Sequence, residues 1–480
     1  MLKSLNTSSK TNSFILLSGL FILNLILKIS FLSSEPFWYD EIVSVKTTLL
    51  DFGHIKHISE WDNNPPFYYY CLWVWAKLFG ISEFNIRLLS VLFSSFSVCL
   101  LFHFVKKYFN VLTGLCCALL FSFHNFSYEY SHEARCYSLV VFLVLLSTIC
   151  FFHFLEKKTY WSMFWLGLVN FLIVYTHYIA GLVIFFQLVF ILIYKRDFIK
   201  QFGISIGVLL LFIFLRFTKK QLLVMLSFNK EGKAFWLQTA DSTLLKEALS
   251  DLFFGDTIWM LFLLVFFISL IVAFVSRKKN TPNQNLVLIY STFLSLISIC
   301  LTFVIGLYKP VFLARYLLFT VPFILILISY PLLNFNKSIS FLIIPFLILS
   351  IYLIKLNPQK PMDFRLATMV VKELQKNNKP MVLIQTKDVT ALFAYYYNSS
   401  YFKDYKNLQG NLKAEKIFEL ENKSDLAGLP FTAENTIIFC QTFEQESDNN
   451  QIFDIFKQNK FIFKTTKSVK GVKISLLRKI

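Results

Sequence analysis

Charge is what this 480-residue chain has little of: 16% of its residues are Asp, Glu, Lys or Arg, against roughly 25% in an ordinary soluble domain. With 56% hydrophobic residues and a mean hydropathy of +0.58, that shortage excludes a soluble globular protein and points to a polytopic membrane chain. The sequence also lacks any CxxC pair or mixed His/Cys ligand spacing, which argues against a structural zinc site. Of the eight cysteines, Cys99, Cys116, Cys117, Cys150 and Cys300 fall inside apolar runs, and Cys71, Cys136 and Cys440 lie near or beyond an edge. They form no disulfide framework. No Ala-x-Ala cleavage site follows the first apolar run, Phe14 to Phe31, and the run is too long for a signal-peptide core, so it is expected to stay as a signal anchor. There is no internal repeat and no low-complexity linker.

What is present is a succession of apolar runs. A spanning helix needs about 20 mostly apolar residues, and that rule gives about eleven candidates: 14–32, 87–105, 111–127, 137–155, 160–176, 178–194, 203–217, 257–276, 286–307, 314–333 and 338–356. The run Phe67 to Phe79 is about half a span and reads as an interfacial or re-entrant helix. The net charge of +18 suggests nucleic acid only until its placement is considered. With the N-terminus inside, Lys106-Lys107, Lys157-Lys158, Lys195-Arg196, Arg277-Lys278-Lys279 and Lys337 all fall in cytoplasmic loops, as the positive-inside rule requires. The expected orientation is therefore N-terminus cytoplasmic and C-terminus outside, in the cell (inner) membrane.

The outer loops are uneven. Loop 33–86 is long, and loop 218–256 mixes lysines with large apolar residues, a composition suited to the interface; within it, Asp241 to Leu249 reads as a short helix. After Asn357-Pro358 the character changes. Residues 358–480 read as a small extracytoplasmic α/β domain, with helices at 364–375 and 450–458, strands at 381–385 and 436–441, and a hairpin over 461–477 turning near Lys470-Gly471. Residues 1–357 form the transmembrane domain.

Three motifs collect on the outer side. Asp40-Glu41, flanked by Phe37-Trp38-Tyr39, sit just outside the first span, and ionised groups beside hydrocarbon tend to be functional. The bland reading is a solvated helix end or a salt bridge to a loop lysine. Next, Asp62-Asn63-Asn64 precede Pro65-Pro66, which favour extended geometry in their neighbours. Tyr68, Tyr69, Trp73 and Trp75 follow, suited to sugar stacking but equally to an interfacial aromatic belt. Third comes Glu129 to Tyr137, where Arg135 suits bidentate phosphate recognition beside His132 and Glu133; an Arg135 pair with Glu133 or Glu129 would instead order a turn. His177 lies at a hairpin apex, and Lys309 and Arg315 bracket another outer edge, where either cation could serve a lipid phosphate.

Taken together, Trp38-Tyr39-Asp40-Glu41, Pro65-Pro66-Phe67-Tyr68-Tyr69, Ser82-Glu83-Phe84-Asn85-Ile86-Arg87, Ser131-His132-Glu133-Ala134-Arg135-Cys136-Tyr137, Thr176-His177-Tyr178 and Ala314-Arg315-Tyr316 resemble bacterial glycosyltransferase family 39. That family is related to the dolichyl-phosphate-mannose protein mannosyltransferases and to the lipid A aminoarabinose transferases. The resemblance covers roughly the first 195 residues and the stretch around Arg315, and it does not reach the C-terminal domain. It implies a GT-C fold, a polyprenyl-phosphate sugar donor, a glycan, lipid or protein acceptor, and inversion at the anomeric carbon. It also implies the acidic pair Asp40-Glu41 as catalytic, with Asp40 the base, and Arg135 on the donor phosphate, with Arg315 and Lys309 as further cations. Asp62, Asn64, Tyr69, His132, Glu133 and His177 are expected to bind substrate. Relatives often have His where Asn64 stands and Gln where His132 stands, so no metal ligands are assigned and a divalent metal is left open. The alternative from another class is a transporter or flippase of lipid-linked sugars; its sites would sit near the bilayer midplane, whereas here the carboxylates gather at one lip.

Overall fold

The computed structural model describes residues 10–60, 64–219, 221–222, 239–255, 258–333, 359–376, 379–385, 389–421, 423–442 and 446–480. The chain divides into two compact units. The first comprises Met1–Ser30, Phe52–Gly80 and Asn85–Leu356, and the second Phe31–Asp51, Ile81–Phe84 and Asn357–Ile480.

The helices run, in chain order, α1 (Lys10–Ile29), α2 (Tyr39–Thr47), α3 (Phe67–Phe79), α4 (Glu83–Tyr108), α5 (Val111–Ser122), α6 (Asn125–Ser131), α7 (Tyr137–Lys157), α8 (Tyr160–Val174), α9 (Leu182–Tyr194) and α10 (Ile199–Arg216). Shorter and longer helices follow at Ser242–Leu252, Trp259–Val275, Pro282–Thr292, Ser298–Gly306 and Val321–Ser329. Among the described residues, five helices are long and apolar enough to cross a membrane: Glu83–Tyr108, Tyr137–Lys157, Arg196–Arg216, Trp259–Lys278 and Pro282–Gly306. The pair α5 and α6, bent by 60°, makes a sixth if counted as one span, and four shorter apolar helices accompany them. Every apolar run expected from the sequence therefore appears as a helix except 338–356, which lies outside the described residues, as do 220, 223–238 and 256 of loop 218–256.

In the first unit, buried polar side chains tie helices that are otherwise apolar. Ser147 donates to Asn170 Oδ1 at 2.7 Å, Asn170 donates to Gln187 Oε1 at 2.8 Å, and Gln187 donates back to Ser147 at 2.8 Å. This closes a ring between α7, α8 and α9, the kind of interhelical bonding that substitutes for hydrophobic driving force in lipid. On α1, Asn24 and Lys28 stand one turn apart on one face and are fully buried; Asn24 bonds Ser122, and Lys28 Nζ donates to Ser94 at 2.5 Å. Gly167 lets α8 approach α10, since a Cβ there would strike the Ser205 carbonyl and Val208. The half-span α3 starts with its Phe67 N–H on the Tyr175 carbonyl at 3.0 Å, and Phe67 and Tyr70 pack on Phe171, Val174, Tyr175, Leu209 and Phe217.

The second unit is built on a five-stranded sheet in the order β2-β1-β3-β5-β4, with β1 (Met381–Gln385), β2 (Ile417–Leu420), β3 (Thr436–Thr442), β4 (Phe461–Val469) and β5 (Val472–Lys479). β1 is parallel to both β2 and β3, and β5 is antiparallel to β3 and β4. All of β1 is buried, as a central parallel strand covered on both faces should be, while β4 is an exposed edge. Met381, Leu383, Ile437, Phe439, Phe456 and Leu477 form its core. The β4–β5 turn carries Gly471 at φ 71°; the neighbouring Lys470 carbonyl accepts from Asp363 N–H at 2.9 Å.

Residues 31–51 fold as part of this second unit. Phe37 N–H donates to the Tyr396 hydroxyl at 2.6 Å, and that hydroxyl donates to Glu83 Oε1 at 3.0 Å. Glu35 receives Lys470 Nζ at 2.7 Å, Arg365 donates to the Ser34 carbonyl at 2.6 Å, and Phe37 stacks edge-on against Tyr395 at 5.3 Å. Burial, followed by the Glu83 carboxylate, holds the Tyr396 phenol well above its ordinary pKa, so it stays a proton donor.

Candidate active site

Arg135 sits in the short link between α6 and α7 and is buried. Its Nη1 donates to the Tyr69 hydroxyl at 3.1 Å. Its main-chain carbonyl faces the Ser90 hydroxyl at 3.5 Å, and that hydroxyl lies 3.3 Å from Tyr68 OH. The guanidinium is therefore aimed by the aromatic run of α3, whose buried face carries Tyr68, Tyr69 and Leu72. Next in the chain, the Cys136 thiol points to Asn64 Oδ1 at 3.7 Å, which joins the segment before the proline pair to the same link.

Arg315 arrives from the turn of helix Ala314–Thr320, which packs on α7. Both Arg135 and Arg315 act electrostatically on the Tyr137 hydroxyl, and Arg315, Glu133 and Glu129 act on Tyr130. The His177 ring lies 4.8 Å from that of Tyr316 and 6.2 Å from that of Tyr137. In this unit, then, Arg135, Arg315, Tyr316 and His177 neighbour Tyr137, Tyr69 holds Arg135, and Glu133 lies by Tyr130. Tyr137 was legible only as the last residue of a motif; nothing in its type or spacing marked it as the centre.

His132 is placed otherwise. Its Nδ1 lies 3.1 Å from the Tyr128 carbonyl and its Nε2 3.2 Å from the Ser30 carbonyl. Two carbonyls would favour an imidazolium, but burial outweighs them and, with Arg87 and Lys28 nearby, pulls the pKa down to about 4. The ring is neutral, so one of the two contacts carries the N–H, and it clamps the end of α6 to the end of α1. Lys309 is half-buried in the loop before Ala314. Asp62 lies outside the described residues. Among the described residues, no group of three or more His, Cys, Asp or Glu side chains is placed to hold a metal ion.

Asp40 and Glu41 belong to the second unit, on the first turn of α2. Glu41 is fully buried, and its Oε2 accepts from the Trp38 N–H at 3.4 Å, half of a capping box. Asp40, one position earlier, is only half-buried. The ammonium of Lys360 lies over the Trp38 ring at 5.6 Å, so a cation neighbours the residue that caps the acidic turn.

Residues 63–217 match the family model described as dolichyl-phosphate-mannose-protein mannosyltransferase. Among solved structures, the chain is similar to ArnT from Cupriavidus metallidurans bound to undecaprenyl phosphate, at 8% identity and a TM-score of 0.58, with 98% of each chain covered. The apo form of the same enzyme gives 10% identity and a TM-score of 0.57 over the same coverage. The archaeal oligosaccharyltransferase AglB from Archaeoglobus fulgidus, in complex with an inhibitory peptide and a dolichol-phosphate, follows at 9% identity and a TM-score of 0.53, covering 96% of this chain and 74% of that one. The fold is GT-C. A search of curated proteins by sequence finds no match.

The first unit holds two guanidiniums near the Tyr137 phenol, one of them bonded to Tyr69, with His177 and Tyr316 beside it. That arrangement suits an anion with several oxygens, because each guanidinium presents a planar fork of donors and stays charged at any working pH. The second unit holds a half-buried carboxylate on a turn whose backbone is fixed by Glu41. A fixed, accessible carboxylate can accept a proton.

Proposed function

We propose that the chain is an integral-membrane glycosyltransferase that moves a sugar from a polyprenyl-phosphate donor to a hydroxyl of a glycan, lipid or protein on the outer face of the cytoplasmic membrane. The observation that carries this reading is the pairing of Arg135, oriented by Tyr69, with Arg315 near Tyr137, in a fold shared with an enzyme seen bound to undecaprenyl phosphate. The two guanidiniums take the donor phosphate, with Lys309 as a further cation, and Asn64, Glu133 and His177 border the sugar.

The reaction is a single displacement with inversion. Asp40 takes the proton of the acceptor hydroxyl as its oxygen bonds the anomeric carbon. The bond from that carbon to the phosphate oxygen breaks, and the phosphate leaves with the electron pair. The leaving group is already a stabilised anion held by cations, so it needs no acid. The sequence supports an N-terminus in the cytoplasm, since the basic clusters then fall on one side, and it puts the C-terminal residues 358–480 outside.

Asp40→Asn keeps the shape and removes the base. It is expected to lower turnover by about 10²-fold or more, with polyprenyl-phosphate binding retained, in an assay that follows transfer of labelled sugar from the lipid. Near-normal turnover in a folded Asp40→Asn protein would remove Asp40 from the mechanism and make Asp62 the next carboxylate to test.

A further inference from the structure

β2 is one edge of the sheet in the second unit, and β4 is the other. The two edges are not alike. β4 carries Lys464 and Lys467 and a register break between Phe463 and Thr465, the devices by which proteins keep a strand edge from pairing further. β2, Ile417-Phe418-Glu419-Leu420, has no lysine, proline or register break. Its phase is set by the Lys416 carbonyl, which accepts from the Val382 N–H at 2.9 Å. In a parallel ladder alternate residues bond the neighbouring strand. Phe418 and Leu420 therefore turn their main-chain groups to β1, while Ile417 and Glu419 turn theirs away. Among the described residues, no main-chain bond from another segment reaches the N–H or C=O of Ile417 or Glu419.

A cleft of about 290 Å³ runs along this open edge, and its lining includes Ile417, Glu419, Glu421, Asp425, Lys413 and Thr390. Helix Leu408–Ala414 and the turn Lys423–Gly428 both pack on β2. The acidic residues are held in place by the fold. Gln409 Nε2 donates to Glu419 Oε1 at 2.6 Å, and Asp425 Oδ2 accepts the Glu421 N–H at 2.7 Å, so the open run of main chain ends at Glu421. Glu419 and Glu421 are two residues apart and lie on one side of the extended chain. The Thr390 hydroxyl is buried, 4% exposed, and makes no hydrogen bond among the described residues, a cost that a partner in the cleft would remove.

We propose that β2 takes up an extended polypeptide segment as an added strand, one that carries lysine or arginine at every second residue. Strand addition supplies partners for the outward main-chain groups of Ile417 and Glu419. Side chains alternate along a strand, so cations two residues apart meet Glu419 and Glu421, and opposite charges across a strand pair attract. The cleft carries three carboxylates against one ammonium, which selects a basic segment and disfavours an acidic one, a phosphate or a nucleic acid. That this segment is the acceptor, making the acceptor a protein, rests on the glycosyltransferase reading above.

The test uses the full-length protein in a non-ionic detergent and a fluorescent peptide, acetyl-Lys-Val-Lys-Val-Lys-Val-amide, read by anisotropy. The controls are the same peptide with Glu in place of Lys, two forms of the basic peptide N-methylated on one or the other alternate set of amides, and spermidine. The basic peptide is expected to bind and the acidic one not to. Only one set of amides faces β2, so one N-methylated form should bind about tenfold or more weaker and the other as well as the parent. Glu419→Gln/Glu421→Gln keeps shape and removes charge, and should weaken binding about fivefold with its thermal midpoint level; Thr390→Val should weaken it several-fold. No binding of the basic peptide, equal binding of the two N-methylated forms, displacement by spermidine at equal concentration, or unchanged affinity in the folded double variant overturns the inference. Undecaprenyl-phosphate binding is measured on the same samples: peptide binding without it supports this edge as a docking site and counts instead against the donor reading.

Discussion

Replacing Arg135 by Lys tests whether the guanidinium acts as a fork rather than as a charge. In the wild type one arm, Nη1, is committed to the Tyr69 hydroxyl at 3.1 Å, and the planar group leaves its other donors at fixed angles for phosphate oxygens. A lysine ammonium keeps the charge but presents it as a point on a flexible stem, so it cannot hold Tyr69 and a phosphate in the same geometry. The quantity at stake is one charge-assisted hydrogen bond, about 1.5–3 kcal/mol, or roughly ten- to hundredfold in affinity. Tyr69→Phe removes the orienting hydroxyl and leaves the arginine, so its expected loss is smaller. If the hydroxyl acts only through the arginine, Tyr69→Phe should cost little further once Arg135 is Lys. The assay is undecaprenyl-phosphate binding by the four proteins of this cycle in detergent, with thermal midpoints recorded alongside. Wild-type affinity in a folded Arg135→Lys protein would refute the assignment and pass the phosphate to Arg315 or Lys309. Additive losses would refute the orienting role of Tyr69.

Two further expectations follow from local geometry. Gly471 has φ 71°, and a Cβ there would meet the Pro361 carbonyl and Met362; Gly471→Ala should destabilise the second unit by about 1–2 kcal/mol, seen as faster amide exchange in β4 and β5, whereas Gly428→Ala, with open space around it, should not. For His132, the folded pKa of about 4 lies below the roughly 6.5 of an unfolded chain, so the unfolded state binds more protons between them. Stability is then full above about pH 6.5 and falls by about 1.4 kcal/mol per unit toward pH 4; thermal midpoints taken across that range should fall less steeply in His132→Asn, and an unchanged slope would refute the buried neutral ring.

The parts of this fold that could be read in the sequence are those where composition alone decides. A run such as Leu139 to Phe154 has no other place to go than a buried or lipid-facing helix, and Met381-Val382-Leu383-Ile384 suits only a central strand. β2 could not be read, because Ile417-Phe418-Glu419-Leu420 is too short to show a period and is held by pairing with β1. Buried polar groups were the harder class. Lys28 reads as a basic residue at the end of an anchor helix, yet it is fully buried against Ser94. Only its spacing of four from Asn24, which puts both on one helix face, hinted at a polar seam. The arginine cluster was legible in part: Arg135, Arg315 and His177 were each named from type and position, while Tyr137, which relates them, needed the folded chain. For Glu41 the sequence suggested a partner of Asp40 in chemistry, and the structure finds it occupied with the Trp38 N–H.

The first long loop also bears on what the C-terminal residues do. A contiguous stretch of sequence, 33–86, is shared between two units: Phe52–Gly80 goes with the helices, and Phe31–Asp51 with the sheet. The segment that leads into the acidic turn is therefore held by residues far along the chain. Glu35 is fixed by Lys470, Ser34 by Arg365, and Phe37 by Tyr395 and Tyr396, all from beyond residue 357. Removing the chain after Leu356 strips away each of these at once, and α2, nine residues long, is too short to persist alone. Such a truncated protein is expected to lose transfer entirely, and also any slow transfer of sugar to water, because Asp40 is no longer held. Its undecaprenyl-phosphate affinity should change by less than about threefold, since Arg135, Tyr69 and Arg315 belong to the other unit. If residues 358–480 served only to bind the acceptor, the truncated protein would still transfer sugar to water at the wild-type rate. That result would show that residues 358–480 select the acceptor without building the acidic turn, and loss of both activities with donor binding intact would show that they build it.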